Sequence, residues 1–265
     1  MNTAPAGPRT IADLLNVLVR DPGKPRLTWY GDDGERVELS GAVLVNWVSK
    51  TTNLFVEEFD GAPACRVLID LPPHWRSAVW VLGALRTGAT VLVPGPDGLA
   101  PDGRPADVTV TTRPAEHSGD VVAVALPALA RRFDGELPPG TVDAAAAVMT
   151  YADAVLWVPE TDPSEPALVA PAATAPVQGV LHGDVLAWAA GAPETAEAGA
   201  RVLLDGRASL VDTLRSMLGV WAAGGSVVLT SPTTATALEA DADRRERLVS
   251  QEGVSLGGVA STLGD

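Results

Sequence analysis

The feature that most constrains this chain is a unit at residues 66–93. It begins with a nearly continuous apolar run, RVLIDL, followed by Pro72-Pro73-His74, an amphipathic stretch, a glycine and a second apolar run. An apolar run without polar alternation predicts a strand covered on both faces, as in a parallel sheet. Residues 75–86 carry apolar positions at helical spacing, Gly88 stands where a helix stops, and residues 90–93 return to a β-prone pattern. Strand, helix, glycine and strand in that order define a βαβ unit with parallel strands. Residues 82–91 (LGALRTGATV) are echoed by residues 218–227 (LGVWAAGGSV). Each has Leu-Gly inside a helix, a glycine at its end and an apolar strand leading to a proline, Pro94 or Pro232. Chance similarity in an Ala/Gly/Val-rich chain is the alternative to two halves built alike. The expectation is an α/β protein of two packed α/β subdomains, residues 1–155 and 156–265, with largely parallel sheets covered by helices.

The remaining elements fit that frame. Residues 10–20 place Ile11, Leu14, Leu15 and Leu18 on one helical face, with Thr10 as cap and Asp13 in the first turn. Residues 27–30 and 36–39 flank Gly-Asp-Asp-Gly and read as a hairpin. A helix is predicted over 41–59, its largely apolar stripe running from Leu44 and Trp47 to Phe59. Strands are predicted at 107–111 and 121–126, separated by a polar loop, and residues 131–141 read as a surface connection. Further helices are expected over 144–151, 184–190, 210–223 and 235–251, and further strands at 201–204, 226–230 and 254–259.

Composition excludes several functions. Apolar residues make up 46% of the 265, enough for a buried core. A net charge of −14 repels phosphate backbones and argues against nucleic acid or an anionic membrane as a partner. Lys24 and Lys50 are the only lysines, so lysine chemistry has two candidates, both near the N-terminus. A single cysteine, Cys65, precludes an internal disulfide or a multi-thiolate zinc site, and its apolar setting predicts an inert thiol. The first nine residues are polar and Pro-rich, unlike a signal peptide, and the longest apolar runs are too short to cross a bilayer. A soluble, cytoplasmic protein is the expectation.

Taken together, residues 27–59, 66–94 and 201–263 resemble, in order and spacing, the N-terminal portion of the adenylate-forming superfamily. That group includes acyl-CoA synthetases, peptide-synthetase adenylation domains and beetle luciferases. The resemblance implies that the loop after the next strand holds the ATP phosphates with a Thr-Ser-Gly-Thr-Thr-Gly-x-Pro-Lys-Gly pattern. Residues 170–179 of this chain read APAATAPVQG. Only Thr174 and Gly179 match. Gln178 stands at the lysine position, and Pro171 and Pro176 remove two N–H donors. These vestigial phosphate-loop positions, Thr174, Gln178 and Gly179, are the cofactor-binding candidates. The sequence also ends before the family's adenine- and ribose-binding motifs and its small C-terminal domain, so the resemblance covers about the first half of such an enzyme.

Other chemistry finds little support. There is no Gly-x-Gly-x-x-Gly, Walker-type or nucleophile-elbow motif. His74, His117 and His182 are far apart in sequence, so no metal site is expected. His182 and Asp184 form a possible pocket in which the carboxylate orients an imidazole. The competing reading makes Asp184 the cap of the following helix. No catalytic residue is assigned. The expected function is a non-catalytic, AMP-binding-enzyme-like protein, in effect a pseudoenzyme with a degenerate site. It is expected to need no cofactor, and to bind a small ligand, an unknown partner protein or itself. The alternative is an atypical carboxylate-activating ligase using ATP and Mg, or one that needs a partner chain.

Overall fold

A computed structural model describes residues 7–171, 178–193 and 197–257. Two sheets organise the chain. The first contains β1 (Pro25–Tyr30), β2 (Arg36–Ser40), β10 (Arg201–Leu204), β11 (Ser226–Thr230) and β12 (Leu256–Gly257), in the order β12-β10-β11-β1-β2. The second contains β3 (Arg66–Asp70), β4 (Thr90–Leu92), β5 (Val108–Thr111), β6 (Asp120–Ala123), β7 (Val142–Asp143), β8 (Pro166–Ala170) and β9 (Gln178–Leu181), in the order β7-β6-β5-β3-β4-β8-β9. Each sheet is parallel except at one edge, where β2 and β9 run antiparallel to β1 and β8.

The helices are α1 (Ile11–Leu18), α2 (Gly41–Phe59), α3 (Trp75–Arg86), α4 (Ala144–Ala147), α5 (Val185–Ala190), α6 (Leu210–Ala222), α7 (Pro232–Ala240) and α8 (Ala242–Glu252). Their starts follow the capping residues. Thr10 and Asp13 form a reciprocal capping box on α1, and Ser40, Ser209 and Ser231 each accept a backbone N–H at the start of α2, α6 and α7.

Strand alternation divides the packing into layers. Val202, Leu204, Val227 and Leu229 of the first sheet share one core with Val67, Ile69, Val91 and Leu168 of the second. Buried residues of α1, α2, α3, α5 and α6 belong to that same core. Leu203 and Val228 face the other way, onto Leu238 of α7 and Leu248 of α8. Leu68, Leu92 and Val169 form the outer patch of the second sheet, against Ala100 and Ala106. Continuous apolar strands are therefore required, because both faces of each sheet are covered.

The two echoed units fold alike. α3 and α6 each run into a glycine with positive φ, Gly88 at +85° and Gly224 at +78°, and β4 and β11 follow. Gly83 in the middle of α3 marks a close approach to α2: a Cβ there would lie 2.6 Å from Thr51 Cγ2. Gly83→Ala should destabilise the protein by about 1–3 kcal/mol in denaturant unfolding, through overpacking, despite its better helix propensity.

The sheets do not follow the expected division at residue 155. β1 and β2 lie beside β11 and β10, whereas β8 and β9 complete the sheet begun by β3. The helix expected over 235–251 is two helices, α7 and α8, parted at Asp241. Its backbone is extended (φ −130°, ψ 95°), and its side chain accepts from Arg244 N to cap α8. Of the strand expected at 254–259, Leu256 and Gly257 pair with β10, and residues 258–259 lie outside the described residues.

Candidate functional site

The parallel strands of the second sheet place their carboxyl ends on one edge: Asp70 of β3, Leu92 of β4, Thr111 of β5 and Ala170 of β8. The chain leaves β3 for β4 on one side and leaves β5 for β6 on the other. Such a reversal of winding opens a crevice at the strand ends, the usual ligand position in open α/β sheets. The hairpin of β8 and β9 rises from the same edge.

Two of the phosphate-loop candidates, Gln178 and Gly179, fall on β9. Ala170 pairs with Gln178 and Val169 with Gly179, so the two flanking positions are the start of an antiparallel strand. Thr174 lies outside the described residues. Gly179 is exposed, and a Cβ there would meet no atom within 4 Å, so no close backbone approach requires a glycine. The two lysines are placed elsewhere. Lys24 Nζ donates to the Gly224 carbonyl at 3.3 Å beside the first sheet. Lys50, on α2, donates to the Tyr151 carbonyl at 2.6 Å and pairs with Asp153 at 2.7 Å.

His182 and Asp184 are not an acid–base pair. The buried His182 ring places Nε2 3.0 Å from the Gly88 carbonyl, tying the end of β9 to the glycine turn after α3. Burial lowers its pKa, opposed by the hydrogen bonds at Gly88 and Ala89. Asp184 is exposed at the start of α5, and its side chain makes no cap bond. Its backbone (φ −109°, ψ −8°) is not the extended conformation that aims a cap side chain at the first turn.

A cluster at the reversal point was hidden in the sequence. Asp70 Oδ2 accepts from Thr111 Oγ1 at 2.8 Å, Arg113 Nη2 lies 3.1 Å from both carboxylate oxygens, and His117 Nε2 lies 3.1 Å from Oδ2. Burial pushes the Asp70 carboxyl up, but the bonds from Thr111, His117 and Arg113 outweigh it and hold the pKa below the usual value. The arrangement orients an imidazole against a carboxylate and fastens the loop after β5 to the end of β3. The sequence signal was only an aspartate closing an apolar run, with its partners more than forty residues away, Thr111 at the end of a strand and Arg113 and His117 in a segment read as loop.

The third histidine has a different task. His74 caps α3, its Nδ1 accepting from Arg76 N at 3.1 Å, and its ring meets Trp29 of β1 edge-on with centroids 4.4 Å apart. Each histidine thus has its own partners, and no group of three or more His, Cys, Asp or Glu placed to hold a metal occurs among the described residues. Cys65 is half-buried, and burial, then the Asp107 charge, pushes its thiol pKa up, as expected of an inert thiol. No helix of the described residues is long and apolar enough to cross a membrane.

Comparison with solved structures defines the class. The fold matches a Brucella canis acyl-CoA synthetase with a TM-score of 0.70 at 18% identity, covering 96% of this chain and 48% of that one. It matches the N-terminal domain of FACL13 from Mycobacterium tuberculosis with a TM-score of 0.65 at 16% identity, covering 95% and 63%. An adenylation–carrier di-domain from Klebsiella oxytoca, NpsA-ThdA, gives 0.67 at 12% identity, covering 95% and 43%. The chain therefore has the fold of the N-terminal portion of the adenylate-forming superfamily, and it spans between 43% and 63% of the length of these structures. No family model matches the sequence. A TIGR03089 family protein of Mycobacterium tuberculosis (strain ATCC 25618 / H37Rv) is 36% identical over 213 residues, 75% of this chain and 86% of that relative. This chain belongs to the TIGR03089 family.

Proposed function

We propose that this protein is a non-catalytic member of the adenylate-forming fold, one that binds a small ligand or a partner protein and does not activate carboxylates with ATP. The observation that carries the reading is the composition of residues 170–179 beside the placement of the two lysines. A triphosphate needs backbone donors and a cation. Residues 170–179 offer alanines, two prolines and Gln178 by composition, and Lys24 and Lys50 are engaged at Gly224, Tyr151 and Asp153.

The partner side of the proposal rests on a second surface. Asn53 of α2 donates to the Ala152 and Ala154 carbonyls at 3.1 and 2.9 Å and accepts from Leu156 N at 3.3 Å. Residues 151–156 are thereby strapped to α2, yet Leu156 and Trp157 are 72% and 65% exposed. Large apolar side chains held outward on a fastened segment suit a protein contact. A cytoplasmic setting is part of the same proposal.

Carboxylate-dependent exchange of pyrophosphate into ATP is the direct test of catalysis. With the full chain and a panel of short, long-chain and aromatic carboxylates, no exchange above the enzyme-free background is expected. Saturable exchange with any of them would replace this reading with that of an atypical ligase.

A further inference from the structure

We propose that a cavity between α2 and α3 is a binding site for a single hydrogen-bond acceptor the size of a water molecule. The cavity measures about 10 Å³, and its lining includes Thr51, Trp75, Arg76, Val79 and Val124. That is about the space one water occupies. Two residues of this lining, only 1% and 2% exposed, carry a buried polar atom without a partner: Thr51 Oγ1 and Trp75 Nε1.

The chemistry of the lining selects the occupant. Indole N–H and guanidinium are donors only, and the threonine hydroxyl can donate. Arg76 is 7% exposed, lies 4.3 Å from the Trp75 ring centroid, and gives its hydrogen bonds to the backbone carbonyls of Leu126, Pro127 and Ala128 rather than to a carboxylate. A donor-rich apolar cavity takes an acceptor, and its size admits one water or one halide ion. The occupant joins α2, through Thr51, to the first residue of α3, through Trp75. It therefore stiffens the segment that follows β3 at the edge where the candidate site lies.

The sign of one substitution tests this. Thr51→Val keeps the shape and removes the hydroxyl. If an acceptor bridges Thr51 and Trp75, the folding equilibrium constant should fall roughly five-fold. Trp75→Phe should fall too, and the double variant should lose less than the product of the two. If the hydroxyl is unpartnered, Thr51→Val removes a buried unsatisfied group and the constant rises; that result, or independent effects of the two substitutions, overturns the proposal. Crystallographic density in the cavity of the full chain provides a second readout, and its absence at high resolution would also overturn it. Unfolding in chloride against gluconate at equal ionic strength separates the two sources. Stabilisation specific to chloride assigns a halide to the site, and equal stability together with density in the cavity assigns a water.

Discussion

Replacing Glu252 with alanine should destabilise the fold by about 3–5 kcal/mol, the largest effect of any single polar substitution anticipated for this chain. Glu252 ends α8, and its side chain is 4% exposed. Oε2 accepts from Arg201 Nη2 of β10 at 2.5 Å, and Oε1 accepts from Tyr30 Oη of β1 at 2.5 Å and Arg36 Nε of β2 at 3.0 Å. One carboxylate thus fastens the outer helix to three strands of the five-stranded sheet. Burial pushes its pKa up, but the bonds from Tyr30, Arg201 and Arg36 outweigh it and hold it below the usual value. The alanine variant leaves Arg201, itself only 15% exposed along its side chain, without its carboxylate. An uncompensated buried charge accounts for the size of the effect. Urea unfolding checks it. A loss below about 1 kcal/mol would mean that the network behaves as a solvated surface pair.

Acid should weaken the protein well above the carboxylate range, and His74 should be the main reason. Burial, then the positive charge of Arg76, pushes the His74 pKa down to about 3. An unfolded histidine titrates near 6.5, so between those values the unfolded chain binds a proton that the native chain refuses. Stability is therefore fully present above pH 6.5 and is lost as pH falls below it, by up to about 1.4 kcal/mol per unit. His182, also held down by burial, adds in the same direction. The carboxylates of Asp70 and Glu252, held below their usual values, add their own loss only as pH falls through the ordinary carboxylate range. His74→Asn keeps a capping oxygen and removes the titration. Between pH 7 and pH 5 the wild type should lose about 2 kcal/mol more than this variant in urea unfolding. Equal losses would show that His74 accepts a proton in the native state.

The local part of this architecture was legible in the sequence. The Gly31–Gly34 hairpin, the Thr10 cap of α1 and the glycine stops at Gly88 and Gly224 each depend on a few neighbouring residues, and each formed as expected. The assembly of the sheets was not legible. β1 is completed by β11, two hundred residues later, and nothing in either strand's composition names the other. The break at Asp241 was concealed because charged residues at helical spacing continue across it. At the candidate site, the strand before residues 170–179 could be read from the order of elements, and β8 pairs there with β9. The Asp70–His117 cluster could not be read, since parallel pairing of β3 and β5 is what brings its members together. The His182–Asp184 proximity in sequence misled, because the turn into α5 directs His182 inward to Gly88 and leaves Asp184 in solvent.

Under the proposed function, residues 170–179 hold no nucleotide. Calorimetric titration of the full chain with Mg-ATP tests it most directly. No saturable heat is expected at micromolar to low millimolar nucleotide, because Gln178 supplies no charge and both lysines are engaged elsewhere. Binding at micromolar Kd would contradict it and return the hairpin to the role its position implies.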